Sequence, residues 1–360
     1  MKIVIPEEFV GRLLRSYLKN SLLISSKMLT RLKNDEKGIL LTGQHVTVRQ
    51  VLHAGDVLEI ADRDTEREES ETVIPTKLPL CVMYEDENII VLNKPPHMPT
   101  HPSHGHITDT LANALAYRYK TDGIPFVFRP LGRLDRNTSG IVIAGKTRPA
   151  SGFLGRALIK GDVRKCYLAI VEGELECDGK THVIDVPIRR MSDSIIMRTA
   201  CTADEEGAES ALTRYRVLAS ANGLSLLLAE PKTGRTHQLR VHFSHIGHPI
   251  IGDDIYGAQS PSDSSHLIDR HALHALSITV PVPFFRAHRG GAPTSADTQG
   301  IDDITDITDI NAFLSLPLNT PDKKGYITTF APLPADISHI ITENFSTHPH
   351  FDTLSKLLTN

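Results

Sequence analysis

The sequence predicts an α+β fold with a mixed, mostly antiparallel sheet, preceded by a small N-terminal α/β unit. Three observations carry this reading. Apolar runs of strand length outnumber segments of helical period, so crossover helices are too few for a doubly wound parallel sheet. At 360 residues the chain exceeds one average domain. Residues 62–76, DRDTEREESETVIPT, are charged and carry no hydrophobic period before Val73. That is a linker signature, and it divides residues 1–61 from residues 77–360.

Within the first unit, Val10, Leu13, Leu14, Tyr17 and Leu18 recur at helical spacing, and Ser25, Ser26, Leu29 and Leu32 predict a second helix. Lys37–Leu41 and Val46–Val51 alternate as short strands around Gly43, and Gly55–Ile60 closes the unit. In the larger unit, LCVMYED and IIVLNK flank Glu87-Asn88 as a hairpin would. Thr108 or Asp109 is placed to cap a helix through Leu111, Leu115 and Tyr119. Further strands are expected at Ile141–Ala144, Tyr167–Val171, Leu212–Leu218 and Leu224–Ala229. Residues 287–324, rich in Gly, Pro, Asp and Thr, break the pattern as a flexible insertion would, and Ile327–Leu358 returns to globular composition.

The formal net charge is −4, which does not advertise a polyanion partner. Its distribution is more informative. Arg129, Arg133, Arg136, Lys146, Arg148, Arg156, Lys160, Arg164 and Lys165 are interrupted only by Asp135 and Asp162, a local excess of seven positive charges. Such a block can neutralise phosphates, or it can be a solvated helix face. Asp297, Asp302, Asp303, Asp306 and Asp309 mask it in the total. Trp is absent and aromatics make up 5%, which argues against an aromatic stacking platform. Cys81, Cys166, Cys177 and Cys201 have no CxxC spacing and read as reduced thiols. With no signal-like h-region and no membrane-length apolar run, a cytoplasmic protein is expected.

The densest polar cluster is Gly132-Arg133-Leu134-Asp135-Arg136-Asn137-Thr138-Ser139-Gly140, running into an apolar strand. Neighbouring cations favour the ionised form of a carboxylate, which can then serve as a nucleophile or electrostatic stabiliser. The plainer alternative is a loop salt bridge that fixes the strand start. A second cluster, Lys232 to His242, contains Arg240, whose planar fork suits a carboxylate. Tyr167 opens a strand and by itself reads as an amphipathic core residue. Gly140–Thr147 satisfies the phosphate-loop pattern G-x-x-x-x-G-K-[ST], but its spacer Ile-Val-Ile-Ala is itself a strand and cannot wrap a phosphate, so nucleotide triphosphate binding is rejected. His101, His104 and His106, like His242, His245 and His248, are spaced tightly but lack the completing ligands of a metal site, so no metal is expected.

Taken together, these segments resemble the RluA-like family of pseudouridine synthases. The resemblance rests on Ile89–Pro95, Thr100-His101-Pro102-Ser103, residues 132–140 against H-R-L-D-x-x-T-S-G, and Lys165-Cys166-Tyr167. It continues through Gly234–Arg240, Gly247–Ile250, Gly252-Asp253, Arg270 with Leu273-His274-Ala275, and Phe330–Pro334. Gly132 departs from the family's His. The first unit is similar to the small RNA-binding (S4-like) domain first seen in a ribosomal protein of the small subunit. The resemblance implies the pseudouridine synthase catalytic fold and isomerisation of uridine in structured RNA, with ribosomal RNA favoured and transfer RNA also open. It implies no cofactor, since substrate and product contain the same atoms. It assigns the covalent carboxylate to Asp135, stacking and proton transfer to Tyr167, the carboxylate partner to Arg240 and filling of the vacated base stack to Arg133. Arg136, Lys165, Arg235 and His237 are the other expected RNA contacts. No obligatory protein partner is evident, and a monomer is expected. The competing readings are a non-catalytic RNA-binding factor and a small-molecule hydrolase.

Overall fold

The computed structural model describes residues 2–22, 24, 26–61, 73–124, 127–257, 266–281, 319, 320, 322 and 325–348. The linker reading at 62–76 lies outside these up to residue 72, and the insertion reading at 287–324 does so except at 319, 320 and 322.

The N-terminal unit has its own core, built from Leu14, Leu18, Leu52 and Leu58 among others. Its four antiparallel strands, β1 (Lys2–Val4), β2 (Ile39–Leu41), β3 (Gln44–His45) and β4 (Val57–Ile60), run in the order β1-β4-β2-β3. Helix α1 (Leu14–Ser16) continues as a π-turn over Tyr17–Ser21, and α2 spans Ser26–Lys33. The expected first helix starts later than its period implied, and Val46–Val51 is not a strand of the sheet. One cause explains both. The chain before α1 first lies against 48–52, with Leu13 bridging Val51, Gly11 N–H donating to Leu52 O, Leu14 N–H to Gln50 O and Arg15 N–H to Val48 O. Val10 and Leu13 are therefore left exposed.

In the larger unit the strands are β5 (Cys81–Glu85), β6 (Ile89–Lys94), β7 (Ser139–Gly145), β8 (Arg164–Glu172) and β9 (His182–Asp185). They are followed by β10 (Ile188–Arg190), β11 (Arg198–Ala200), β12 (Leu212–Ala221), β13 (Leu224–Pro231), β14 (Leu273–Pro281) and β15 (Tyr326–Phe330). Nine of these form one sheet in the order β5-β6-β7-β14-β8-β13-β12-β9, with β15 beside β14, while β10 and β11 pair as a separate hairpin. Among the described residues the β7–β14 contact is the one parallel pair. The mixed, mostly antiparallel sheet is thus as expected. Among the described residues the helices of this unit are α3 (Leu111–Thr121), α4 (Arg148–Lys160), α5 (Gln238–His245) and α6 (Ala335–Phe345).

Local chemistry places the boundaries. The β5–β6 turn is closed by Asp86, whose Oδ1 accepts from Asn88 N–H at 2.6 Å and Ile89 N–H at 2.7 Å. The cap of α3 is Thr110, not Thr108 or Asp109: it exchanges hydrogen bonds with Asn113 as a capping box. Strand β7 is buried at all seven positions, which is why its sequence is continuously apolar rather than alternating. The Gly140–Thr147 spacer is indeed this strand, and Thr147 caps α4 by accepting from Ala150 N–H at 3.2 Å.

Gly140 sits at φ +107°, and a Cβ there would lie 2.2 Å from Ala275 O of β14. Only glycine admits this close approach at the parallel seam that starts immediately after the Asp135 loop. Gly140→Ala is expected to destabilise the protein by roughly 2–5 kcal/mol, combining left-handed strain with overpacking. An unchanged urea midpoint would contradict this.

Candidate active site

The segment 134–138 is a loop that runs into β7 at Ser139, and its geometry comes from tethers at every residue. Thr100 holds Leu134 twice, its hydroxyl donating to Leu134 O at 3.1 Å and accepting from Leu134 N–H at 3.3 Å. The carbonyl of Asp135 accepts from Thr138 N–H at 3.1 Å. Lys94 Nζ donates to Arg136 O at 3.0 Å, and also to Pro95 O and Met98 O. Arg270 Nη1 donates to Asn137 O at 3.0 Å. Thr138 Oγ1 meets His271 Nε2 at 2.8 Å, and Ser139 Oγ meets His274 Nδ1 at 2.9 Å. The partners are themselves buried: Lys94, His274 and Arg270 are at most 1% exposed. Burial, opposed by the Asp135 charge, pulls the Lys94 ammonium down to about 7. Arg270 is fixed by a two-point pair with Asp336 at the start of α6, at 2.7 and 3.0 Å.

This rigid loop presents the Asp135 carboxyl at the surface, with its side chain 29% exposed. Arg240 Nη1 approaches Oδ2 at 3.5 Å and His237 Nε2 approaches the same oxygen at 3.8 Å. Both separations exceed a good hydrogen bond, so this is an ion-pair and dipole contact. Among the described residues no hydrogen bond or ion pair addresses Oδ1. Arg240 is aimed by another acid. Its Nε and Nη2 each lie 2.7 Å from the Asp253 carboxylate, whose Oδ1 also accepts from Ile255 and Tyr256 N–H. Burial disfavours both charges, but their mutual bonding prevails, holding Arg240 above and Asp253 below the ordinary range. The Tyr256 ring lies 5.0 Å from the Arg240 guanidinium. Gln238 anchors the start of α5, donating to Leu212 O and Thr213 Oγ1 and accepting from Thr233 Oγ1 and Arg235 N–H.

Tyr167 stands in β8 opposite Ala229 and Ala275, whose small side chains leave its ring room. It is half-buried and lines a hollow with Leu131–Leu134, Lys165, Ser277 and Ile278. Burial first, then the Asp135 charge, raises its phenol far above the ordinary range, so it stays protonated. Lys165 lines the same hollow, donates to Leu131 O at 2.9 Å, and is drawn down to about 8 by burial. Gly132 stands at φ +91°, and a Cβ there would be 3.3 Å from Lys165 Nζ. The loop is therefore built for glycine at the position where it departs from the resembled signature.

Two family models match this chain: RNA pseudouridylate synthase over residues 88–245, and the RluD ribosomal pseudouridine synthase N-terminal domain over residues 1–58. The uncharacterized RNA pseudouridine synthase YjbO of Bacillus subtilis (strain 168) is 37% identical over 276 residues, covering 76% of this chain and 93% of its own. The chain belongs to the RNA pseudouridylate synthase family. A ribosomal large subunit pseudouridine synthase D of Nitrosomonas europaea is 32% identical, covering 79% of the synthase and 81% of its own length. The solved human RNA pseudouridylate synthase domain containing 1 is 31% identical, with a TM-score of 0.47, covering 57% of the synthase and 79% of that chain.

The synthase brings Asp135, Arg240 and His237 together, with Tyr167 within electrostatic reach. Arg133 and Arg136 are exposed on the tethered loop. His237 is more enclosed than an RNA-facing residue needs to be, with its side chain 10% exposed. Arg235 is engaged by Glu209 at 2.8 Å and by Ser210 O at 2.9 Å. The basic block does not form one continuous surface, because Lys146 turns to Glu85 and Arg164 to Glu230. His242 uses both ring nitrogens on Thr213 Oγ1 and Val186 O. Among the described residues no group of three or more His, Cys, Asp or Glu could hold a metal ion. Nor is any helix there long and apolar enough to cross a membrane.

Sequence reasoning assigned no role to Lys94, Thr100, Asp253 or Arg270 and overlooked Tyr256 and His271. Their signal was available in outline: most sit inside the very motifs that carry the resemblance, at positions whose work is to hold the loop or the arginine.

Proposed function

We propose that the synthase converts uridine to pseudouridine in structured RNA with Asp135 as the covalent carboxylate, large-subunit ribosomal RNA being the favoured substrate. The observation that carries the assignment is the tethered loop, which holds a part-exposed Asp135 side chain with Oδ2 facing Arg240 at 3.5 Å and no hydrogen-bond or ion-pair partner on Oδ1 among the described residues. In the reaction the bond between ribose C1′ and uracil N1 breaks, the ring turns, and C1′ bonds C5. The C5 proton leaves and N1 gains one, so atoms and electrons balance without a donor. A carboxylate can bond the ribose or the ring, or stabilise positive charge on the sugar; both routes suit the part-exposed carboxyl. Arg240 offsets the carboxylate's charge, and Tyr167, held protonated beside the hollow, stacks on the uracil and serves proton transfer. The target base first leaves its stack at a cost of a few kcal/mol.

The relatives named ribosomal large subunit pseudouridine synthase D support ribosomal RNA over transfer RNA. The N-terminal unit serves as an RNA-binding domain, and Arg133, Arg136, Lys165 and Arg235 supply contacts that add affinity more than sequence choice. The synthase is read as a cytoplasmic monomer.

Transcripts carrying tritium at uracil C5 provide the test. Isomerisation releases the label to water, whereas a binding factor retains it. Pseudouridine mapping of ribosomal and transfer RNA from cells with and without the protein identifies the site. Arg133→Ala is expected to weaken binding of folded RNA about tenfold, since filling the vacated stack offsets part of the unstacking cost. A short flexible oligomer has no such stack and should lose much less. Equal losses in a titration of both would remove the stack-filling role.

A further inference from the structure

We infer that Tyr256 is a positioning residue that fixes the tautomer of His237, so that an Nε2–H faces Asp135. The inference deepens the proposed function and rests on Asp135 being the catalytic carboxylate.

Tyr256 Oη lies 3.0 Å from Arg198 N, at the start of β11, and a backbone N–H can only donate. One lone pair of the hydroxyl is therefore taken as acceptor, and its own proton must point elsewhere. Its second partner is His237 Nδ1 at 2.8 Å. If the hydroxyl donates there, Nδ1 is an acceptor and the neutral ring carries its proton on Nε2. That nitrogen lies 3.8 Å from Asp135 Oδ2. The opposite tautomer would aim a lone pair at the carboxylate, which is repulsive. The distance is long for the free enzyme, but contacts of this kind tighten when substrate closes the site.

Two further features favour the neutral, donating ring. His237 is largely enclosed, and burial lowers its proton affinity ahead of the opposing pull of Asp135. Tyr256 is held protonated, chiefly by burial. The backbone contributes as well. His237 sits at φ +58°, in the left-handed region, immediately before α5, with its ring between Tyr256 Oη and Asp135 Oδ2. Tyr256 is in turn anchored by its own N–H on Asp253 and by Ser244 Oγ donating to its carbonyl at 3.0 Å. The Asp135 oxygen thus faces two supports: the Arg240 charge set by Asp253, and the His237 dipole set by Tyr256.

Long-range proton–nitrogen NMR of the histidine-labelled full-length protein reads the tautomer directly, with His237 assigned by its loss in His237→Gln. The expected result is a bare Nδ1 and a protonated Nε2 in the native protein. A proton on Nδ1, or on both nitrogens, at neutral pH overturns the inference. Kinetics give the second readout. Tyr256→Phe keeps the ring against Arg240 and should lower kcat about tenfold, the upper worth of one neutral hydrogen bond, with KM for RNA unchanged. His237→Gln places an amide donor near the Nε2 position with no tautomer to choose, so Tyr256→Phe should cost nothing more in that background. Equal losses in both backgrounds would show the hydroxyl working through Arg198 or packing instead. Full turnover by Asp135→Asn would overturn the carboxylate assignment whatever tautomer is found, so the two failures are separable.

Discussion

Asp135→Asn should abolish product formation, by on the order of 10⁴-fold or more in kcat, while leaving the fold and the affinity for RNA nearly intact. The size of the effect follows from the chemistry. The amide has the same shape but cannot bond the uridine as a carboxylate does, and it presents no full negative charge to a developing cation on the sugar. The survival of the fold follows from the tethers. Thr100, Lys94, Arg270, His271 and His274 hold residues 134 and 136–139, and Asp135 itself is held through its carbonyl, not its side chain. Arg240 also keeps its stronger partner, Asp253. The carboxyl is part-exposed, so its replacement should shift stability by no more than about 0.5 kcal/mol. Tritium release, RNA titration and a urea melt on one preparation check all three statements. Turnover within a few fold of the native rate would remove Asp135 from the mechanism.

The sheet could be read from the sequence because its central strands are apolar on both faces. Ile141–Ala144 and Leu224–Ala229 are runs that no surface helix would carry. The Asp135 loop was readable for a different reason: a polar run with an acid between two arginines is costly to place ahead of a buried strand without a purpose. What pairs across long separations was not readable. Thr138 and His271 lie 133 residues apart, and Lys94 reaches Arg136 from 42 residues away. The same blindness left the basic block undecided, because the acids that engage Lys146 and Arg164, Glu85 and Glu230, lie 61 and 66 residues distant. In the N-terminal unit, periodicity at Val10 and Leu13 extended the first helix too far, since pairing with residues 48–52 overrides local propensity there. The guanidinium of Arg240 shows the limit most clearly. The resemblance supplies a carboxylate partner for it, yet the short bonds go to Asp253, 13 residues along the chain, and the contact to Asp135 is longer.

That division of labour makes Asp253→Ala the most damaging change away from the reacting atoms. Removing one member of a buried, two-point ion pair leaves the other charge uncompensated, at about 3–5 kcal/mol. Asp253 has a fully enclosed side chain, and Arg240 is 4% exposed, so water cannot easily replace the lost partner. Asp253→Asn keeps the volume and separates charge from packing. It should cost less stability than Asp253→Ala, yet still lower kcat about a hundredfold, because Arg240 is no longer held at the distance that suits Asp135. The pH dependence carries a definite sign. Arg240 holds the folded-state carboxyl of Asp253 below its unfolded range, so its stabilisation is complete above that range, about pH 4, and is lost as pH falls through the folded value. The gap in stability between native protein and Asp253→Asn should therefore be widest near neutral pH and close progressively in acid. Urea melts across this range measure it directly. A gap that stays constant down to pH 3 would mean that shape and hydrogen-bond count at position 253, not the charge pair, hold the arginine in place.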